Sequence, residues 1–264
     1  MRSYLDDPET AEKRIDELRR LARDADEGLL GFELDAPEMD VASGYGAWAA
    51  TYDVLPNPLI RVEEPAVRAM IDELPVGRAL DAACGTGRHA AYLRSRGWEV
   101  LGIDQSPEML EKAADRVRGM DFRIGDLARL PVESASVDLA VCALALQHVP
   151  DLGPPIAELA RVVRPGGHVV LSEFHPMMTA LGGKALFARG DGSYALVRSY
   201  IHSVGGYLSA ARATGLEIER CVEPVWAEVD AQIMAGPLFP LAPDAFRGAF
   251  VGLPGAIIWR FRRP

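Results

Sequence analysis

The stretch LDAACGTGRHA, residues 80–90, places Gly85, Gly87 and Ala90 in a G-x-G-x-x-G/A spacing. Glycines between a strand and a helix let the backbone approach a ligand closely, and the helix start offers unpaired N–H groups. Asp104, in VLGIDQS, follows Gly85 by nineteen residues, where a carboxylate can accept both hydroxyls of a ribose. In FRIGDLARLP, the carboxylate of Asp126 can meet an exocyclic amine while the N–H of Leu127 addresses the ring. This much fits NAD as well as any other adenosine-bearing molecule. Asp81 does not fit NAD, because a carboxylate buried beside two phosphates would be repelled.

These residues need elements to hold them. Short apolar runs predict strands at 79–83, 98–103, 120–125, 137–143 and 167–174, with helices between them at 87–96, 107–117 and 154–163. Ser106 reads as a helix cap with Pro107 in the first turn, and Gly166 and Gly167 read as the end of a helix. Alternating strands and helices imply an α/β chain with a parallel, doubly wound sheet, ligands binding at the carboxyl ends of its strands. Asp81, Asp104 and Asp126 all fall at that edge. Upstream, DDPETAEKRIDELRRLARD predicts a helix capped by Asp7 with an apolar stripe of Ile15, Leu18 and Ala22. Two more helical stretches follow, YGAWAATYD, with Trp48 and Tyr52 on one face, and EEPAVRAMIDEL. Past residue 175 come a short strand in GDGSYALVRSYIHS, a helix ending at Gly215, and strands in EIERCVEP and AIIWRFRRP. The expected division is an N-terminal helical cap, 1–75, and a core, 76–264, with lid insertions near 176–203 and 225–255.

The chain has 264 residues, 49% of them hydrophobic and 25% charged, an ordinary globular composition. A formal net charge of −10 argues against a nucleic-acid partner. Three widely spaced cysteines form neither a disulfide framework nor a metal signature, and the charged N-terminus lacks the apolar core of a signal peptide. The expectation is a soluble, cytoplasmic protein with no metal and no membrane partner. Oligomeric state is not legible.

In its motifs the chain resembles the class I S-adenosylmethionine-dependent methyltransferases, in particular the small-molecule group called type 11. LDAACGTG resembles that family's first motif, with Ala83 and Cys84 between Asp81 and the glycines. GIDQSPEML resembles the second, IGDLARLP the third and VDLAVCALALQHV the fourth. The resemblance implies a Rossmann-like, mostly parallel seven-stranded sheet and S-adenosyl-L-methionine as cofactor. It implies Asp81 facing the methionine ammonium, Asp104 on the ribose, and Gln105, Met109, Gly125, Asp126 and Leu127 around the adenine. It further implies Cys142 and Ala143 near the sulfonium and an N-terminal segment, with Tyr45, Trp48 and Tyr52, closing over the cofactor. An acid upstream of the glycines thus suits a zwitterionic amino-acid tail.

The implied reaction is in-line transfer of a methyl group to a small-molecule acceptor, in which the enzyme positions the reactants and excludes water. Where the acceptor must lose a proton, His175, His148 and His202 are the candidate bases. His148 and His175 follow the fourth and fifth strands; His89, inside the first core helix, reads as structural or solvated. The N-P-P-Y type signature of nucleic-acid amino methylation is absent. O-, N- and C-methylation stay open, as does the acceptor. Two rival readings remain, an NAD(P)-dependent oxidoreductase and a catalytically silent binding protein of the same fold.

Overall fold

A computed structural model describes residues 8–24 and 35–264, and the position of Asp7 lies outside them. The described residues cluster into two compact units. One holds those up to Asp35 with Val225–Leu253; the other holds Ala36–Pro224 with Pro254–Pro264.

In the smaller unit, helix α1 spans Pro8–Asp24. Its inward side is polar: the buried carboxylate of Glu17 pairs with Arg14 at 2.9 Å and accepts the N–H of Ala245. Ile15 and Leu18, expected to form a buried stripe, are exposed. Through Glu17 this polar side is tied to the backbone at Ala245.

The larger unit opens with β1 (Glu38–Met39) and α2 (Val41–Trp48), whose cap is Asp40 accepting from the N–H of Ser43. Tyr52 lies beyond the helix end but keeps its neighbour, since its N–H donates to the Trp48 carbonyl and the two rings sit 4.9 Å apart. Helix α3, Pro58–Asp72, starts at Asn57, six residues before the predicted EEPAVRAMIDEL stretch.

The main sheet contains β2 (Arg78–Ala82), β3 (Glu99–Asp104), β4 (Asp121–Ile124), β5 (Val137–Ala143), β6 (Val163–Phe174), β9 (Glu217–Val222) and β10 (Ala256–Arg262). Their order is β4-β3-β2-β5-β6-β10-β9, with β2 to β6 parallel and β10 antiparallel to both its neighbours. This is the expected seven-stranded, mostly parallel α/β sheet. Between the strands run α4 (Arg88–Ser95), α5 (Pro107–Arg116) and α6 (Gly153–Val162), with α8 (Val204–Ala213) preceding β9. Ser106 caps α5 by accepting the N–H of Met109.

Alternate side chains of each strand feed two cores. Leu80, Ala140, Leu171 and Trp259 pack with α6 and α8, while Ala79, Leu139, Val170 and Ile258 pack with Val67, Met70 and Ile71 of α3. That second packing explains why residues 36–75 cluster with the sheet instead of forming a cap with the N-terminal helix.

Two further differences from the sequence expectation have local causes. β6 begins at Val163, so Gly166 and Gly167 lie within an irregular strand and do not end a helix. The N–H of Gly166 donates to the Arg263 carbonyl, and a Cβ on Gly167 would stand 2.6 Å from the Asp138 carbonyl. The segment after β6 holds α7 (Pro176–Ala180), β7 (Ala185–Ala188) and β8 (Tyr194–Val197), and β1, β8 and β7 pair in that order into a second small sheet. Phe187, Ala195 and Val197 of this sheet bury one face against Tyr45 and Trp48.

Candidate active site

β2 and β5 are adjacent, but β3 and β4 extend the sheet on one side while β6 extends it on the other. The chain thus switches direction between their carboxyl ends, where open α/β sheets bind ligands. A cavity of about 340 Å³ opens there. Its walls carry Ala83 and Leu144 at φ +56° and +57°, left-handed conformations that cost a non-glycine residue energy and cluster at functional sites.

The two glycines of the loop serve different purposes. Gly85, at φ +53°, lines the cavity, and a Cβ there would touch nothing within 4 Å. Gly87, at φ +79°, packs against α5, where a Cβ would lie 3.1 Å from that of Ala113. Asp104 at the end of β3 braces the loop, accepting the N–H of Gly85 at 2.8 Å and that of Ser106 at 2.9 Å. Burial raises its pKa although these N–H groups oppose the rise. Residues 45–53 are tied over the loop by Asp53, which accepts from the Thr86 hydroxyl and pairs with Arg116 at 2.7 Å.

Of the residues expected at the cofactor, Tyr45, Tyr52, Ala83, Gly85, Asp104, Gln105, Gly125, Asp126, Leu127 and Ala143 line this cavity. Asp81, Cys84, Gly87, Met109 and Cys142 stand behind it. Met109 and Cys142 are buried in the packed interior, and burial pushes the Cys84 and Cys142 thiols up, as befits small apolar side chains. Asp81 is also buried, one of its oxygens has no hydrogen-bond partner among the described residues, and burial pushes its carboxyl up to about 7. An unsatisfied buried carboxylate oxygen beside a glycine cradle fits a ligand that brings a cation or a donor.

The histidines separate clearly. His148 lines the cavity; its Nδ1 meets the Arg198 carbonyl at 2.7 Å, so Nδ1 carries the proton. Nε2 therefore accepts, and the Tyr45 hydroxyl donates to it at 2.9 Å. Burial lowers the His148 pKa, keeping the ring a neutral acceptor. His175 is not at the cavity: Nε2 pairs with Glu223 at 2.9 Å, and Nδ1 caps α7 by accepting the N–H of Met177. His202 meets the Val149 carbonyl at 2.8 Å and is likewise absent from the lining. His89 is buried against Glu63, so it is structural and not solvated. Burial raises the Glu63 pKa, but Arg88 and His89 outweigh burial and leave it lowered.

Sequence reasoning missed Leu144, Val149, Pro150, Asp151, Pro154 and Pro155, which wall the cavity after β5. Their signal was position, immediately beyond the strand at the switch point. It also missed Glu173, fully buried on β6, whose carboxylate accepts the N–H groups of Leu146 and Gln147.

Residues 80–171 match the family described as a methyltransferase domain, the type 11 group. Over those residues the chain is similar to the class I S-adenosylmethionine-dependent methyltransferases. It is 35% identical over 132 residues to the malonyl-[acyl-carrier protein] O-methyltransferase of Serratia marcescens, covering 50% of this chain and 51% of that protein. It is 34% identical over 146 residues to the demethylmenaquinone methyltransferase of Streptomyces griseus, covering 53% and 63%. The chain thus spans about half the length of the curated relatives it matches. A solved S-adenosylmethionine dependent methyltransferase from Mesorhizobium loti is 29% identical, with a TM-score of 0.57 over 76% of this chain and 98% of that one.

Proposed function

We propose that the protein transfers the methyl group of S-adenosylmethionine to a small-molecule acceptor. The observation that carries the reading is the Gly85 cradle, braced by Asp104 at the switch point, with the unpartnered oxygen of buried Asp81 behind it. Bound there, the cofactor would supply an electrophilic methyl on a sulfonium. The chain's own residues do the rest. Asp104 keeps lone pairs free for ribose hydroxyls beyond its two backbone bonds, and Asp126 and Leu127 stand at the cavity wall for the adenine. Tyr45 and Tyr52, both buried enough to raise their pKa values, screen the site from water.

Where the acceptor loses a proton, His148 is the base this geometry favours: a neutral ring with its tautomer fixed and its unprotonated Nε2 hydrogen-bonded to the Tyr45 hydroxyl, through which a proton would pass from the cavity. The lining after β5, with Leu144, Val149 and three prolines, suits an apolar acceptor. Residues 176–203 remain a proposed lid segment. A reducing, cytoplasmic setting is supported by three free cysteines, and the net charge of −10 disfavours a nucleic-acid partner. No helix among the described residues is long and apolar enough to cross a membrane.

Calorimetric titration with S-adenosylmethionine, S-adenosylhomocysteine and NADH tests the reading. We expect the sulfonium pair to bind and Asp104→Asn to weaken binding by about ten- to a hundredfold, the range for losing hydrogen bonds to a charged acceptor. Binding of NADH alone would restore the oxidoreductase reading. Cofactor binding without turnover on any acceptor would favour the silent binding protein.

A further inference from the structure

Glu173 is an acid in a place where the fold has little use for one. It is the penultimate residue of β6, and its side chain is fully buried. Burial makes its ionised form costly, and the acid Glu63 adds to that cost. Its hydrogen-bond partners among the described residues are backbone: the N–H of Leu146 at 2.7 Å and that of Gln147 at 3.1 Å. These belong to the 3₁₀ turn Leu146–His148, whose first N–H groups have no partner within the turn.

The same turn is pinned from other directions. Leu144, just before it, sits at φ +57° and donates its N–H to the Ser172 carbonyl, next to Glu173. The Tyr200 N–H reaches the Gln147 carbonyl at 2.7 Å, and the His148 ring reaches Arg198. A strained strand end, a capped turn and a ring locked at both nitrogens converge on one cavity wall. Buried polar groups that break the local rules of a core are found where function needs a fixed geometry.

Building on the methyl-transfer reading, we infer that Glu173 is a positioning residue: it holds the Leu146–His148 turn so that His148 presents Nε2, and the Tyr45 hydroxyl bound to it, to the acceptor. Glu173 itself touches neither the cavity nor the ring. Its effect passes through two backbone N–H groups.

Histidine NMR on the ¹⁵N-labelled protein tests this with neither cofactor nor acceptor present, His148→Gln providing the assignment. The wild-type ring should appear neutral, protonated at Nδ1, with a slowly exchanging proton. In Glu173→Gln an NH₂ group replaces one acceptor oxygen, and the Nδ1 proton of His148 should exchange at least about tenfold faster, with a mixed tautomer signal. Val170→Ala, equally buried on the same strand, removes packing alone and should leave the His148 signals unchanged while lowering thermal stability. Should Glu173→Gln not fold, Glu173→Asp keeps the carboxyl group one methylene short, and its His148 signals are read the same way. The inference is overturned if the folded Glu173 variant leaves the tautomer and exchange as in wild type, or if Val170→Ala disturbs them equally. S-adenosylhomocysteine affinity, measured by calorimetry, should stay within about twofold in the same variant; a collapse there would make Glu173 a general support of the cavity and overturn the positioning role. Failure of the wild type to bind S-adenosylhomocysteine would sink the methyl-transfer reading, while the NMR result would still decide what Glu173 does to His148.

Discussion

Asp81 is the residue at which the chemistry of the site is sharpest. Its carboxyl, pushed up to about 7 by burial, is largely protonated in the free protein at mildly acidic pH. A cationic ammonium placed against it would favour the ionised form and lower that value. Binding between pH 6 and 7 should therefore release a fraction of a proton. Calorimetry of S-adenosylhomocysteine binding in buffers of different ionisation heat measures this directly. A buffer-dependent enthalpy is expected in the wild type and none in Asp81→Asn; a flat response in the wild type would remove Asp81 from the cofactor's tail. At this scale the place of Gly85 and Asp104 at the cavity, with Asp81 buried behind them, was legible because their types and spacing follow the strand ends. The histidines were not. His148, His175 and His202 all follow strand ends or loops, and only the partners of their ring nitrogens distinguish an acceptor at the cavity from a helix cap and a loop tether.

Among the elements, the loop joining β2 to α4 makes a claim that two substitutions can separate. Gly85→Ala forces an alanine to φ +53° in open space, a strain of about 1–2 kcal/mol without any clash. Its methyl group would then occupy the cradle. Gly87→Ala carries the same strain and adds a contact with Ala113 at 3.1 Å, so α4 and α5 must part slightly. The Gly87 variant should melt lower, and the Gly85 variant should lose more S-adenosylhomocysteine affinity. Equal affinity losses would show that both glycines face the ligand. The buried strands β2, β3 and β5 were legible as continuous apolar runs between turn signals. The small sheet was hidden because β1 has only two residues and pairs with a strand about 160 positions away (Glu38 with Leu196), for which no local pattern exists. The polar inner side of α1 was misread for a related reason. Periodicity reports where apolar residues lie, and here the Arg14–Glu17 pair, not Ile15 or Leu18, turns inward.

For the molecule as a whole, the buried acids set how stability depends on pH. Asp81, at about 7, and Glu173, at about 8, hold their protons more tightly folded than unfolded, and Asp104 shifts the same way. Unfolded carboxylates ionise near pH 4, so above that the folded chain binds more protons and stability falls as pH rises toward about 8. Glu63, with its lowered pKa, has the opposite sign: its contribution is complete above the unfolded range and is lost only as pH falls below about 4. His89 and His148, lowered by burial, also oppose the decline, but their contribution is already complete above about pH 6.5. Between about pH 6.5 and 8, then, the two acids act unopposed by these groups. The melting temperature of the free protein should fall across that window. Saturating S-adenosylhomocysteine should flatten the fall, because a cation beside Asp81 removes the proton that folding otherwise retains, and the bound form gains stability by mass action. Asp81→Asn should flatten it too, with no cofactor added, leaving the part due to Glu173 and Asp104. Scanning fluorimetry from pH 5 to 9, with and without the cofactor product, reads all three curves. A melting temperature that holds steady or rises from pH 6.5 to 8 in the free wild type would mean that these carboxyls already ionise in the folded chain, and that the unpartnered oxygen of Asp81 is satisfied by something other than a ligand.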